Sequence, residues 1–113
     1  QSLYGGPPNK PSALVVGDKV TGNLANKDAE VTYQLTTQNK LLLKLSGPAG
    51  QDFDIFVRFG EPVDRVKNLY DHVSWGTTAE ELITIADPKP GTYYVLVHSY
   101  NGSGSFTLET KVT

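Results

Sequence analysis

The sequence contains no cysteine and no methionine. With no disulfide to staple it, a chain of 113 residues must hold itself together by packing alone. The absence of cysteine leaves the redox compartment open: it fits the cytosol, and it also fits exported bacterial proteins that avoid free thiols. No apolar run approaches the ~20 residues of a membrane-spanning helix. An excess of one charge is missing too, since 10 Lys and Arg stand against 12 Asp and Glu for a net charge of −2. That weak acidity argues against a nucleic-acid or anionic-membrane footprint, either of which needs a basic face. Histidine is scarce: His72 and His98 are the only two, and they form no His-x-x-x-His pair, so a zinc centre is disfavoured. No Gly-x-Ser-x-Gly elbow marks a nucleophile, and no Gly-rich loop opens a helix to cradle phosphate.

What is present is strand. The length suits one domain. The missing initiator Met and the opening "QSLYGGPP" suggest a piece of a longer chain. Residues 1–13, rich in Gly and Pro, read as a linker or a loosely docked N-terminal arm, with the folded domain expected over 14–113. From there, short β-branched and aromatic runs recur between turn residues: 14–24, 30–37, 40–47, 54–60, 81–87, 91–100 and 105–112. Val31, Tyr33 and Leu35 share a face, as do Leu41, Leu43 and Leu45, then Ile83 and Ile85, then Phe106, Leu108 and Val112. Seven short alternating strands without a sustained helical period predict an all-β fold, an antiparallel β-sandwich of jelly-roll type, as a monomer. The stretch "EPVDRVKNLY" (61–70) dissents, with Val63, Val66 and Leu69 near helical spacing behind a Pro suited to a first turn. It reads as an irregular connection with room for one helical turn.

The stretch "GQDFDIFVRFG" (50–60) puts Asp52 and Asp54 on one face at the head of a strand that otherwise builds the core. Their side chains should lie roughly 6–7 Å apart. Three readings follow. Carboxylates at a strand's start accept backbone N–H bonds from the preceding turn, here "SGPAGQ". They can also ligate calcium, which takes six to eight oxygens from several segments. A catalytic carboxylate pair is the third reading. The turn role is the favoured one.

Three blocks together resemble the bacterial pre-peptidase C-terminal domain family: "GQDFDIFVRFG", "YDHVSWGTTAEE" and "PKPGTYYVLVHSYNGSGSFTLET". The chain is also similar to the clostridial collagen-binding domains, most of all in its last block. The resemblance covers about residues 14–112. It implies a β-sandwich appended to secreted peptidases and other hydrolases, without catalysis of its own. Two places where some members carry bridged cysteines fall here at His72 and Leu82. The family places Asp71, Glu80 and Glu81 in loops near Asp52 and Asp54, so Asp52, Asp54 and Asp71 are the candidate calcium ligands. Collagen-binding relatives use acids of their N-terminal arm for calcium, and residues 1–11 here contain none. The family's Gly-Tyr-Ser-Gly becomes Ser99-Tyr100-Asn101-Gly102, whose Asn-Gly pair predicts a tight hairpin because both residues tolerate positive φ. The sequon Asn101-Gly102-Ser103 reads as part of the same turn.

Alternation also predicts a surface. With Tyr93, Val95 and Val97 facing in, Tyr94, Leu96, His98 and Tyr100 line the outer side, beside Phe56 and Arg58 of the neighbouring strand. Trp75, in "SWGTT", is either a lid on the core edge or an exposed anchor. An aromatic row on a solvated sheet suits binding, since it offers large area at low ordering cost. The competing reading is that a loop or the parent enzyme covers this face. The expectation is therefore a secreted accessory domain, part of a larger protein, that attaches a peptidase to insoluble protein such as collagen. It would also help secretion and stability. The alternatives are a carbohydrate-binding module and a structural module docking on its own catalytic domain.

Overall fold

A computed structural model describes residues 11–112. Residues 1–10 of the expected arm, and Thr113, lie outside the described residues. The fold is an antiparallel β-sandwich. Its strands are β1 (Ser12–Ala13), β2 (Lys19–Leu24), β3 (Glu30–Thr36), β4 (Leu41–Ser46), β5 (Asp52–Phe59), β6 (His72–Ser74), β7 (Glu81–Ile85), β8 (Thr92–Asn101) and β9 (Gly104–Val112). One sheet runs β1-β3-β8-β5-β6 and the other β2-β9-β4-β7. The only parallel pairing among them is β1 on β3, where Ser12 and Ala13 meet Tyr33 and Gln34. The end of the predicted arm is thus a docked edge strand.

The core fills the space between the sheets. Leu41, Leu43 and Leu45, Ile83 and Ile85, and Phe106 and Leu108 point into it from one sheet. Tyr33 and Leu35, Phe53, Ile55 and Val57, and Tyr93, Val95 and Val97 point into it from the other. Each set obeys the period of two that places alternate side chains on one face. Val112 departs from its expected place and is exposed, while Thr110 is buried instead. The Thr110 hydroxyl accepts a hydrogen bond from Gly17 N at 2.9 Å and reaches the Val15 and Asp18 carbonyls at 3.2 and 3.3 Å. A satisfied hydroxyl can be buried at little cost, and this one pins the β1–β2 connection.

One sequence expectation fails because of the way the chain crosses between sheets. The Asn101-Gly102 pair does not close a hairpin: β8 and β9 belong to different sheets, and the turn carries the chain from one to the other. Gly102 and Gly104 take the positive φ values, 96° and 133°, and Asn101 does not. The 61–70 stretch is the irregular connection expected, without the helical turn it had room for. It folds as a tight loop in which Asp64 and Leu69 form an antiparallel bridge, and the Asp64 carboxylate accepts from Lys67 N at 3.0 Å. The apparent helical spacing leaves Val66 exposed rather than on a buried stripe.

Candidate functional site

The loop 61–71 decides what the outer face of the five-stranded sheet looks like. Arg65 reaches from it to Glu30 at the head of β3, Nε to Oε2 at 2.9 Å. Tyr70 lies against Phe56, ring centres 5.2 Å apart at 66°, and both rings meet Trp75 at 6.2 Å in edge-on contacts. Such pairs add to what area burial alone contributes. The predicted open row is therefore covered by the chain itself. Phe56, Leu96 and His98 are buried, and Tyr94 is half-buried. Arg58 is engaged at the far end of β5, with Glu61 and the Pro62 carbonyl each at 3.1 Å. Only Trp75 and Tyr100 of the predicted face remain open, 60% and 62% exposed.

Tyr100 owes its position to a slip in register. Asp52 pairs with Asn101 and Phe53 with Ser99, which leaves Tyr100 without a partner on β5. Bulges of this kind re-aim a side chain and disturb the ladder locally. Tyr100 and Trp75 flank a cavity of about 360 Å³ whose other lining includes Asp52, Asp54, Gly76 and Thr77. A second cavity, about 210 Å³, lies beside it between Trp75, Tyr100, His98 and Arg65.

The acids at the head of β5 do not organise the preceding turn. Glu80 does that, its Oε2 accepting from Gly47 N at 3.0 Å, while Gln51 Oε1 accepts from Ser103 N at 2.9 Å in the turn between β8 and β9. The buried Oδ1 atoms of Asp52 and Asp54 have no hydrogen-bond partner among the described residues. Their neighbour is instead Glu81, whose buried Oε2 is likewise unpartnered. One carboxylate oxygen from each of Asp52, Asp54 and Glu81 lies within 4.8 Å of the other two. β6 pairs only with Ile55–Val57, so the first residues of β5 have an open edge, and Glu81 reaches them from the other sheet.

Glu81 is held in this pose. Its Oε1 accepts from the Ser74 hydroxyl at 2.6 Å, and Ser74 Oγ accepts from Leu82 N at 3.3 Å. Gly76 lets the chain pass close to the carboxylate, because a Cβ there would stand 3.3 Å from Glu81 Oε2. Burial, with the Asp52 and Glu81 charges beside it, pushes the Asp54 carboxyl up to about 7. Asp71, the third predicted ligand, is not part of this cluster. It sits at the opposite end of β5, where its Oδ2 accepts from Phe59 N at 2.8 Å and its own N–H bonds the Val57 carbonyl. Glu81 takes the place assigned to Asp71. The signal for it was in the sequence, since Glu81 is in phase with the buried Ile83 and Ile85.

His98 stands across the ladder from Asp54. Its Nε2 lies 3.3 Å from Asp28 Oδ1, and its Nδ1 has no partner among the described residues. Burial and the nearby Arg65 lower its pKa. Among the described residues no hydroxyl meets that nitrogen, so they assemble no Ser-His-Asp relay at this histidine.

No curated protein sequence matches the chain. Among solved structures it is similar to the pre-peptidase C-terminal domain of a collagenase from Bacillus anthracis. The TM-score is 0.75 at 17% identity, over 94% of this chain and 99% of that one. It is also similar to PliG of Aeromonas hydrophila, a periplasmic inhibitor of g-type lysozyme, with a TM-score of 0.64 at 10% identity over 91% and 96% of the two chains. The Yersinia pseudotuberculosis-derived mitogen gives 0.57 at 14% identity over 85% of each chain. At such identities these likenesses are of fold. The match in sequence is to a family, and it runs over residues 19–99, from the start of β2 to the edge of the bulge at Tyr100. It takes in Asp52, Asp54, Trp75 and Glu81, and on that match the chain belongs to the bacterial pre-peptidase C-terminal domain family.

Proposed function

We propose that this chain is a non-catalytic accessory domain of a secreted hydrolase, a peptidase by its family, and that it attaches the enzyme to insoluble protein such as collagen. Attachment raises the effective concentration of a tethered catalytic domain near its substrate. The observation that carries the attachment role is the exposed pair Trp75 and Tyr100, left open where the rest of their face is buried. Large aromatics with a polar tip, beside a cavity, are what binding hot spots are made of. A flat row for stacking on polysaccharide is not available on this face, because the loop 61–71 and its Arg65–Glu30 ion pair occupy it. That disfavours the carbohydrate-binding alternative. The family's link to peptidases also supports an extracellular setting, and docking on the enzyme's own catalytic domain would use the same rim.

The test is adsorption of the domain to insoluble collagen, to an insoluble polysaccharide and to the catalytic domain of the enzyme that carries it. We expect binding to the protein matrix, weakened by about 1–3 kcal/mol in Trp75→Ala with the fold intact. Capture by the catalytic domain alone would replace attachment with docking. Binding to polysaccharide alone would overturn the reading.

A further inference from the structure

The carboxylate cluster at the head of β5 has a chemistry that attachment does not explain. Asp54 and Glu81 are only 5% and 7% exposed, and Asp52 is half-buried beside them. Each has one buried oxygen with no hydrogen-bond partner among the described residues, and one carboxylate oxygen of each lies within 4.8 Å of the other two. Unpaired buried carboxylates are costly, and proteins rarely keep three together without something to hold them. Among the described residues no Lys or Arg forms an ion pair with these carboxylates, and Arg58 and Arg65 are paired with Glu61 and Glu30. From these observations we infer that Asp52, Asp54 and Glu81 form a binding site for a hard divalent cation of calcium size, opening into the cavity under Trp75 and Tyr100.

The donor set is all oxygen, which selects hard cations over zinc or copper. Two ligands on opposite sides of a calcium ion, at about 2.3–2.6 Å each, stand up to about 5 Å apart. The three carboxylate oxygens lie within 4.8 Å of one another, inside that span, so small side-chain adjustments bring all three onto one ion. Magnesium demands near-ideal octahedral geometry and gives up its waters reluctantly, so a cage of protein carboxylates suits calcium better. The cavity of about 360 Å³ leaves room for the water ligands that three carboxylates do not supply. Supporting contacts are in place: the Ser74 hydroxyl fixes one oxygen of Glu81 and leaves the other free to ligate. Secondary partners of this kind hold ligands in pose. The inference stands apart from the attachment role, since a cation could serve the fold alone.

Trp75, the chain's one tryptophan, lines the same cavity and provides the readout. Terbium(III) mimics calcium and emits when a nearby indole is excited. The full chain, freed of metal with chelator, should show saturable terbium emission on excitation of Trp75, and calcium should displace it. Millimolar calcium should also raise the melting temperature, because a ligand bound only to the folded state stabilises it by mass action. Asp54→Asn and Glu81→Gln should each abolish both responses, and Asp71→Asn should leave both. If Asp54→Asn does not fold, Asp52→Asn serves in its place. Two results would each overturn the inference: a melting temperature unchanged from chelator to millimolar calcium without terbium emission, or terbium emission that the Asp54 and Glu81 variants retain.

Discussion

The two faces of the β5–β8 pair are buried to nearly the same degree and by different means. On the inner face Phe53, Ile55, Val57, Val95 and Val97 are wholly buried in hydrocarbon. On the outer face Phe56, Leu96, His98 and Asp54 are almost as deep, yet apolar and ionisable groups alternate there, under a cover that is a loop rather than a sheet. A sheet brings its cover with a period; a loop brings it with individual side chains, here Arg65, Tyr70 and Trp75. Burial by a loop tolerates polar groups and leaves openings, and the openings here are where the unpartnered carboxylates and the two exposed aromatics lie.

The largest effect tests whether the outer layer is a core in its own right. Phe53→Ala should cost about 3–5 kcal/mol, as for large-to-small changes at fully packed sites. Phe56→Ala should cost about 3 kcal/mol, at the low end because Tyr70 and Trp75 can settle into the gap. Chemical denaturation of both variants makes the comparison. A Phe56→Ala loss under about 1 kcal/mol would mean that the loop only rests on the sheet, and that the two faces differ in stability as well as in make-up.

The difference between the faces also explains what the sequence could reveal. Strand alternation identified the inner face residue by residue, because a core between two sheets imposes period two on every strand that lines it. The same alternation placed Tyr94, Leu96, His98 and Tyr100 together on the outer side. It could not tell whether they met water, because that depends on where 61–71 lies, and the loop has no period to read. Behind the Val63, Val66 and Leu69 spacing the chain forms a bridge between Asp64 and Leu69 that no local pattern announces. At the acid cluster, Asp52 and Asp54 were legible from their spacing, whereas Glu81 comes from the opposite sheet across an open edge. Asp71 was the tempting third ligand because it follows Tyr70 in a motif, but its carboxylate was already committed to the Phe59 N–H.

A smaller effect concerns charge on the outer face. The Asp54 carboxyl in the folded chain titrates near 7, above the ordinary carboxylate value it has when unfolded. The folded state therefore holds that proton more tightly, so protonation contributes stability that is complete below the unfolded value and lost as pH rises through about 7. In chelator, the metal-free chain should lose on the order of 1–3 kcal/mol between about pH 5 and pH 8, less than the bare shift implies because water can enter beside the cluster. Asp54→Asn should flatten that slope and melt higher than the parent at about pH 8. His98, across the ladder, works in the opposite direction: its lowered pKa costs stability as pH falls below its ordinary value. The measurement is thus the difference between parent and variant at each pH, in which the His98 contribution largely cancels. Parallel melting curves across that range would mean the three carboxylates ionise independently and are not pressed together.

The smallest effect marks the boundary of the outer layer. Tyr100 shares its face with Phe56 and His98 by alternation, but the register slip leaves it unpaired on β5 and mostly in water. Its ring makes no aromatic contact with the described residues, unlike Phe56, Tyr70 and Trp75, which touch one another. Tyr100→Ala should therefore change unfolding free energy by no more than about 0.5 kcal/mol, as for ordinary surface positions. Trp75→Ala should cost more, about 1 kcal/mol, because its edge packs on Phe56 and Tyr70 even though most of the indole is exposed. The pair can be separated by a double-mutant cycle read by thermal melting. Side chains that flank a cavity without touching should give additive losses within about 0.5 kcal/mol. A coupling above that would mean the two rings close over the cavity in solution. The rim would then be a lid on the outer layer, and the contrast between a sealed inner face and an open outer one would fail where it matters for binding.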